Sequence, residues 1–258
     1  MQSTNNCVPA AADDFAAVPT FNLFGVRIEN ITMRRALDEI AAAVSHPGPR
    51  PVFAAFVNAD CMNIAYRRAD YAKVLNAADH VWADGVGVAM AARMRGTVSA
   101  GNVNGTDMLP ELCGEGHKIY LFGGAPGVAE KAKANLEQQH PGLVIAGTDH
   151  GFETDFDRVI DRINASGADV LLVAMGAPKQ ELWIFDSLPR LRVRFAVGVG
   201  GLFDFCSGRI PRAPLWLRKL RLEWTYRLYN EPFRLFRRYV LGNPLFIFRV
   251  LFFPDHRA

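Results

Sequence analysis

Apolar and polar residues roughly alternate from Phe21 to Ile31, which predicts a short hairpin, and a helix is expected to begin near Thr32. An unbroken apolar run from Val52 to Val57 reads as a buried strand, with a helical stretch from Ala59 to Ala78 behind it. His80 to Ala83 predicts the next strand, which runs into Asp84-Gly85 and a helix ending near Gly96. Further strands are expected over Lys118 to Phe122, Leu143 to Gly147, Ala168 to Met175 and Val193 to Val199. Between them lie helices over Pro126 to Gln139, Asp155 to Ala165 and Pro178 to Leu188. This alternation predicts parallel βαβ units, hence an α/β, doubly wound, mostly parallel sheet covered on both faces.

After Gly201 the pattern changes. Pro214 to Tyr229, Glu231 to Leu241 and Pro244 to Phe253 read as three short helices, broken at Asn230-Glu231-Pro232 and at Gly242-Asn243-Pro244. The expected organisation is a loose leader over 1–18, a catalytic domain over 19–206 and a helical, basic appendage over 207–258.

Composition and charge sharpen the picture at the tail. Half of the 258 residues are hydrophobic (50%) and 21% are charged, enough to build a core and to exclude global disorder. The whole chain carries +3, but residues 207–258 alone carry +8 and the remainder −5. Such asymmetry points to an anionic partner for the tail (a membrane surface, a nucleic acid or a phosphorylated ligand) against the plainer reading of a solvated basic face. Its run Tyr239 to Phe253 is too short to span hydrocarbon and too apolar for ordinary surface, so it is expected to lie in a membrane interface. The plainer reading is a helical bundle packed on the sheet by its aromatics. Cys7, Cys61, Cys113 and Cys206 show no CxxC pairing, which excludes a disulfide framework and a cysteine zinc site and suits a reducing compartment. With no secretory signal pattern and no window of about 18 apolar residues, an intracellular protein is expected.

Ligands of parallel α/β sheets bind outside the carboxyl ends of the strands. Four segments fall there: Val57-Asn58-Ala59-Asp60, Ala83-Asp84-Gly85-Val86-Gly87, the turn Phe122-Gly123-Gly124-Ala125-Pro126-Gly127, and Met175-Gly176-Ala177-Pro178-Lys179-Gln180-Glu181. Asp84 is either an exposed carboxylate at a strand tip or a helix N-cap. Gly123-Gly124 either cradles a phosphate at a helix start or permits close packing. Asp155-Phe156-Asp157 superficially resembles a metal-binding pair, but its place at a helix start favours capping. The histidines show no metal-ligand spacing, and no GxSxG elbow exists.

In order along the chain stand Asp84-Gly85-x-Gly with Ala91-Ala92-Arg93, Gly105-Thr106-Asp107, Phe122-Gly-Gly-x-Pro-Gly and Met175-Gly-x-Pro-Lys-Gln-Glu. Gly200-Gly-x-Phe-Asp204, Arg212-Ala-Pro and Leu222-Glu-Trp-x-Tyr-Arg227 follow. Over roughly 22–240 this series resembles the WecG/TagA/CpsF glycosyltransferases. The resemblance implies a Rossmann-like core and inverting transfer of a sugar (N-acetylmannosamine, its uronic acid, or glucose type) from a UDP-sugar to a polyprenyl-diphosphate-linked saccharide, in cell-surface polysaccharide synthesis. It implies Asp84 as general base with Asn58 beside it. Donor contacts are expected from Gly123, Gly124, Lys179, Gln180 and Gly201, while Glu181 and Asp204 either bind the donor's ribose or uracil or merely cap, and the acceptor diphosphate is expected on Arg212, Arg221 and Arg227. Neither a metal nor another cofactor is expected. The implied partners are the two substrates and an anionic membrane surface, with no nucleic acid and with homo-oligomerisation open. The implied location is peripheral, on the cytoplasmic membrane face. The chain departs from the family pattern at Phe56, where a threonine is usual, and at Asn102-Val103-Asn104, where an arginine is usual. An NAD-dependent oxidoreductase, lacking the GxGxxG fingerprint, and a non-catalytic nucleic-acid-binding module are the alternatives.

Overall fold

A computed structural model describes residues 18–214, 216–217, 220 and 223–253, with Arg234 described by its backbone alone. Residues 1–17 of the leader, Cys7 among them, and Arg218 and Arg221 lie outside the described residues, while Val18 packs against the core. The hairpin is β1 (Thr20–Leu23) and β2 (Val26–Glu29), followed by α1 (Met33–Ser45), whose cap Thr32 accepts from the Arg35 amide at 3.3 Å. Then come β3 (Val52–Val57), α2 (Ala59–Ala65), α3 (Ala69–Ala77), β4 (His80–Ala83), α4 (Val86–Met94) and α5 (Gly105–Gly114). The second half runs β5 (Lys118–Gly123), α6 (Val128–Gln139), β6 (Val144–Asp149), α7 (Phe156–Ala165), β7 (Val170–Ala174), α8 (Lys179–Ser187), β8 (Phe195–Gly198) and α9 (Leu202–Cys206). The tail forms α10 (Glu223–Asn230), α11 (Pro232–Phe236), a π turn over Arg237–Leu241, and α12 (Gly242–Phe252).

The eight strands form one sheet in the order β1-β2-β4-β3-β8-β7-β5-β6, parallel except for the β1–β2 hairpin. This is the doubly wound, Rossmann-like architecture expected from the alternation. Two hydrophobic clusters, one on each face, explain why the inner strands read as continuous apolar runs. Because β5 connects outward to β6 and β7 connects the other way to β8, a crevice opens at their carboxyl ends.

Four differences from the sequence reading have physical causes. The single helix expected over 59–78 is two, because Arg68 takes an extended conformation (φ −126°, ψ 101°). The bend lets Tyr71, Val74 and Leu75 of α3 reach the core. Helix α5, absent from the reading, starts at Asn104, whose Oδ1 accepts from the Asp107 amide at 2.9 Å while its Nδ2 donates to the Asp107 carboxylate at 2.8 Å. Helix α9, also unforeseen, packs against α6. Finally, Gly242-Asn243-Pro244 does not break the tail: Gly242 donates its amide to the Arg237 carbonyl, and the π turn passes directly into α12. Pro244 is the third residue of α12.

The tail packs on the sheet domain. Phe246 is 1% and Val250 4% exposed, in one cluster with Phe24, Met62 and Val88. Burying two such side chains is worth about 1.5–3 kcal/mol each, enough to dock a short helix.

Candidate active site

Asp84 stands at the tip of β4, part-buried, with its amide donating to the Val57 carbonyl at 2.9 Å. Gly85 follows at φ +88°, a conformation that glycine adopts without strain. Its amide donates to Asn102 Oδ1 at 2.6 Å. Asn102 therefore pins the loop carrying the carboxylate. Phe56 packs on Trp82 with ring centres 5.4 Å apart.

At the neighbouring tip of β3, Asn58 caps α2: its Oδ1 accepts from the amides of Asp60 at 3.0 Å and Cys61 at 3.2 Å. Its side chain also favours the charged form of the Asp84 carboxyl. Burial pushes the Asp84 carboxyl above the ordinary range, while the guanidiniums of Arg227 and Arg238 and the Asn58 side chain pull it back and Glu223 pushes it up. A carboxylate of raised basicity beside two cations is the pattern of a functional group.

Those cations come from the tail. Arg227 on α10 lies 4.5 Å from the Phe205 ring centre, and Arg238, in the π turn, reaches Asp60 with Nε at 3.3 Å from Oδ2. Each has a buried Nε without a hydrogen-bond partner among the described residues. Trp224 meets Tyr239 edge-on at 6.0 Å, which joins α10 to the π turn. Arg238 was not singled out from the sequence. The dibasic Arg237-Arg238 was visible there, but only the π turn decides which of the two faces inward.

The glycine-rich segments meet at the ends of β5, β7 and β8, two strand spacings or about 10 Å beyond Asp84 at the nearer end. Gly123 (φ +137°) admits no side chain, since a Cβ would lie 2.4 Å from the Ala174 carbonyl oxygen. The Gly124 amide donates to that same carbonyl at 2.8 Å, so it is engaged in the turn and not offered to a phosphate. Gln180 and Glu181, expected at the donor, are buried at 4% and 0% exposure. Gln180 Oε1 accepts from the amides of Gly176 and Gly200, both at 3.0 Å, and its Nε2 donates to Glu181 Oε1 at 2.7 Å. The pair ties two strand-tip loops together from below. Burial raises the Glu181 carboxyl to about 7.

Lys179 is exposed and points toward the α7 side, 5.9 Å from the Phe156 ring centre, with a long contact (3.4 Å) to the Gly151 carbonyl. It edges a groove of about 570 Å³ between α7 and α8 that none of Asp84, Asn58, Arg227 or Arg238 lines. Gly201 precedes α9, and Asp204 pairs with Arg209 at 3.3 Å. Arg212 is paired with Asp107 in the first turn of α5. Asp155 caps α7, accepting from the Arg158 amide at 3.1 Å, and Asp157 pairs with Arg190 at 2.6 Å, so both have structural work. Among the described residues, no three His, Cys, Asp or Glu side chains are grouped to hold a metal.

Residues 21–254 match the family model described as "Glycosyl transferase WecG/TagA/CpsF family". The chain belongs to this family. It is 31% identical over 217 residues (83% of the chain, 80% of the relative) to an N-acetylglucosaminyldiphosphoundecaprenol N-acetyl-beta-D-mannosaminyltransferase of Bacillus subtilis (strain 168). Enzymes of the same name from Bacillus spizizenii (34% identical, 70% of the chain, 71% of the relative) and Staphylococcus aureus strain MRSA252 (29%, 89% and 91%) are also similar. The protein is a glycosyltransferase, and the oxidoreductase and nucleic-acid readings fall away.

No helix among the described residues is long and apolar enough to cross a membrane. Yet Val86 and Met90 of α4 and Leu245, Phe248, Leu251 and Phe252 of α12 are 36–65% exposed. The two helices touch where Gly87 meets Phe246, which places these side chains on adjoining helices.

Proposed function

We propose that this enzyme transfers N-acetylmannosamine, with inversion, from its UDP-sugar to a saccharide on polyprenyl diphosphate at the cytoplasmic membrane face. The observation that carries the reading is the convergence of Asp84, at a strand tip, with Arg227 and Arg238 from the tail. Asp84 takes the acceptor hydroxyl proton as that oxygen attacks the anomeric carbon from the face opposite UDP. The glycosidic bond to UDP breaks and its electron pair leaves on the diphosphate. A positioned base contributes about 10²–10⁴-fold. Asn58 orients the carboxylate, and the guanidiniums offset the charge growing on the leaving diphosphate without a divalent metal.

Gly123, Gly124, Gly201, Asp204 and Lys179 border the donor side of the crevice, with Gln180 and Glu181 bracing its floor. Arg212 and Arg221 remain the candidates for the acceptor's diphosphate, and Arg227 is reassigned to the leaving group. The names of the relatives support both the N-acetylmannosamine donor and an N-acetylglucosaminyl-diphosphate acceptor. The exposed apolar side of α4 and α12, with the basic tail around it, supports interfacial attachment, each basic residue near an anionic surface adding about 1 kcal/mol.

The test is incubation with UDP-N-acetylmannosamine and N-acetylglucosaminyl-diphosphoundecaprenol in anionic vesicles, with and without EDTA. A β-linked disaccharide product, undiminished by EDTA, is expected. No product, an α linkage or strict dependence on added Mg²⁺ or Mn²⁺ overturns the reading.

A further inference from the structure

Phe246 and Val250 hold α12 on the sheet through apolar contact, which is tolerant of small slides and rotations. A second, polar connection is not. Arg249 is only 9% exposed, and its Nη1 donates to Asn63 Oδ1 at 2.7 Å and to the Asn63 carbonyl at 3.3 Å, with the guanidinium 4.2 Å from the Tyr66 ring centre. Asn63, 3% exposed, donates its Nδ2 to the Gly242 carbonyl at 2.8 Å. One side-chain amide on α2 thus grips α12 at two positions about two helical turns apart.

This is an expensive way to fasten a helix. A buried guanidinium held by neutral groups carries a desolvation cost that an apolar side chain would not, and its charged neighbour, Arg67, is another cation. Such a contact does select one register, as buried polar residues do in coiled coils, because sliding or turning α12 breaks both hydrogen bonds. Register matters here. Gly242 directly follows the π turn that carries Arg238, and Arg238 leans on Asp60 of the same helix α2 whose cap, Asn58, favours the charged form of Asp84.

We infer that Asn63 and Arg249 are positioning residues: they fix the register of the tail on α2 and so hold Arg227 and Arg238 over Asp84. The inference rests on the reading of Asp84 as the base of the transfer. Facing that carboxylate are Arg227 and Glu223 from α10, Arg238 from the π turn and Asn58 from α2, with the two cations outweighing the glutamate. Displacing the tail withdraws these cations and also part of the burial that is the larger influence on the carboxyl, so it shifts the pH at which Asp84 ionises.

The experiment compares wild type, Asp84→Asn, Arg249→Met, Arg249→Lys and Asn63→Leu in anionic vesicles with the two substrates named above. For Arg249→Met the expected result is a melting temperature equal to or above wild type, unchanged vesicle binding, and kcat at least about tenfold lower. The acid limb of its kcat–pH profile moves away from its wild-type position. Arg249→Lys, which can still donate to Asn63, recovers part of the turnover, and Asn63→Leu lowers turnover and moves the acid limb as Arg249→Met does, but with a lower melting temperature because the guanidinium stays buried without its acceptor. Amide hydrogen exchange over 223–241 is expected to quicken in Arg249→Met while 52–57 stays protected. Turnover within twofold of wild type for both Arg249→Met and Asn63→Leu overturns the inference. So does lost turnover that tracks a lowered melting temperature with an unmoved acid limb. If Arg249→Met does not fold, Asn63→Leu and Arg249→Lys decide by the same criteria. If wild type yields no product, or Asp84→Asn matches it, the proposed function fails, and exchange over 223–241 alone still decides the latch.

Discussion

Strands β3, β7 and β8 bury nearly every side chain, whereas α12 buries Phe246, Arg249 and Val250 and leaves Leu245, Phe248, Leu251 and Phe252 exposed. In the sheet, an apolar residue has one task, because helices cover both faces. In the tail the same residue types divide between core and surface, and charge is brought inward toward a carboxylate. The sheet domain thus supplies a rigid strand tip bearing Asp84, and the tail supplies cations and an apolar outer side. In the proposed reaction, turnover depends on how the two meet.

The sharpest way to break this division is at Asp84. Asp84→Asn keeps the size but removes the proposed base. Turnover should fall at least about 100-fold with UDP affinity nearly intact. Steady-state kinetics and UDP titration check it, and turnover within a few-fold of wild type in a folded variant removes Asp84 from the mechanism.

The two sides of α12 should separate cleanly. Phe246→Ala should cost about 3–5 kcal/mol of stability. Phe252→Ser, at a site 65% exposed, should leave stability within about 0.5 kcal/mol and weaken co-sedimentation with anionic vesicles. Denaturant melts and sedimentation decide both. Because Phe246 and Val250 are core residues, deleting 239–258 would damage the fold as well as the membrane contact, so point variants are the cleaner probe.

The smallest effect concerns Glu181. Its carboxyl is raised to about 7 from an ordinary 4.5, so the unfolded chain gives up this proton first. Folding stability therefore falls as pH rises between those values and levels off above them. Glu181→Gln, which can still accept from Gln180, should melt higher than wild type at pH 8. The gain should vanish below about pH 4.5 and UDP affinity should not change. A gain independent of pH would show that Glu181 is not a buried, reluctantly ionised acid.

Much of the sheet was legible because burial writes itself into sequence: Val52–Val57 and His80–Ala83 are strands with the expected bounds, and Asp155 caps a helix as its position suggested. What escaped depends on conformations that leave weak marks. The break at Arg68 has no glycine or proline to announce it. Helix α5 was masked by Gly105, Pro110 and Gly114, although the Asn104/Asp107 capping pair was there to be read. Asp84 and Asn58 were legible because a strand tip can be placed from the pattern. Arg238 was not, since its direction follows from a π turn, and Gln180 and Glu181 turned out to brace loops because helix α8 faces them inward.

The most direct test of a centre shared between sheet and tail is the turnover of the Arg227→Gln, Arg238→Gln double variant on vesicle-bound acceptor at saturating donor. The expected kcat is at least about 100-fold below wild type, with the acid limb of its pH profile moved upward and the melting temperature nearly unchanged. Turnover within a few-fold of wild type, with the limb unmoved, would contradict the tail's part in the reaction.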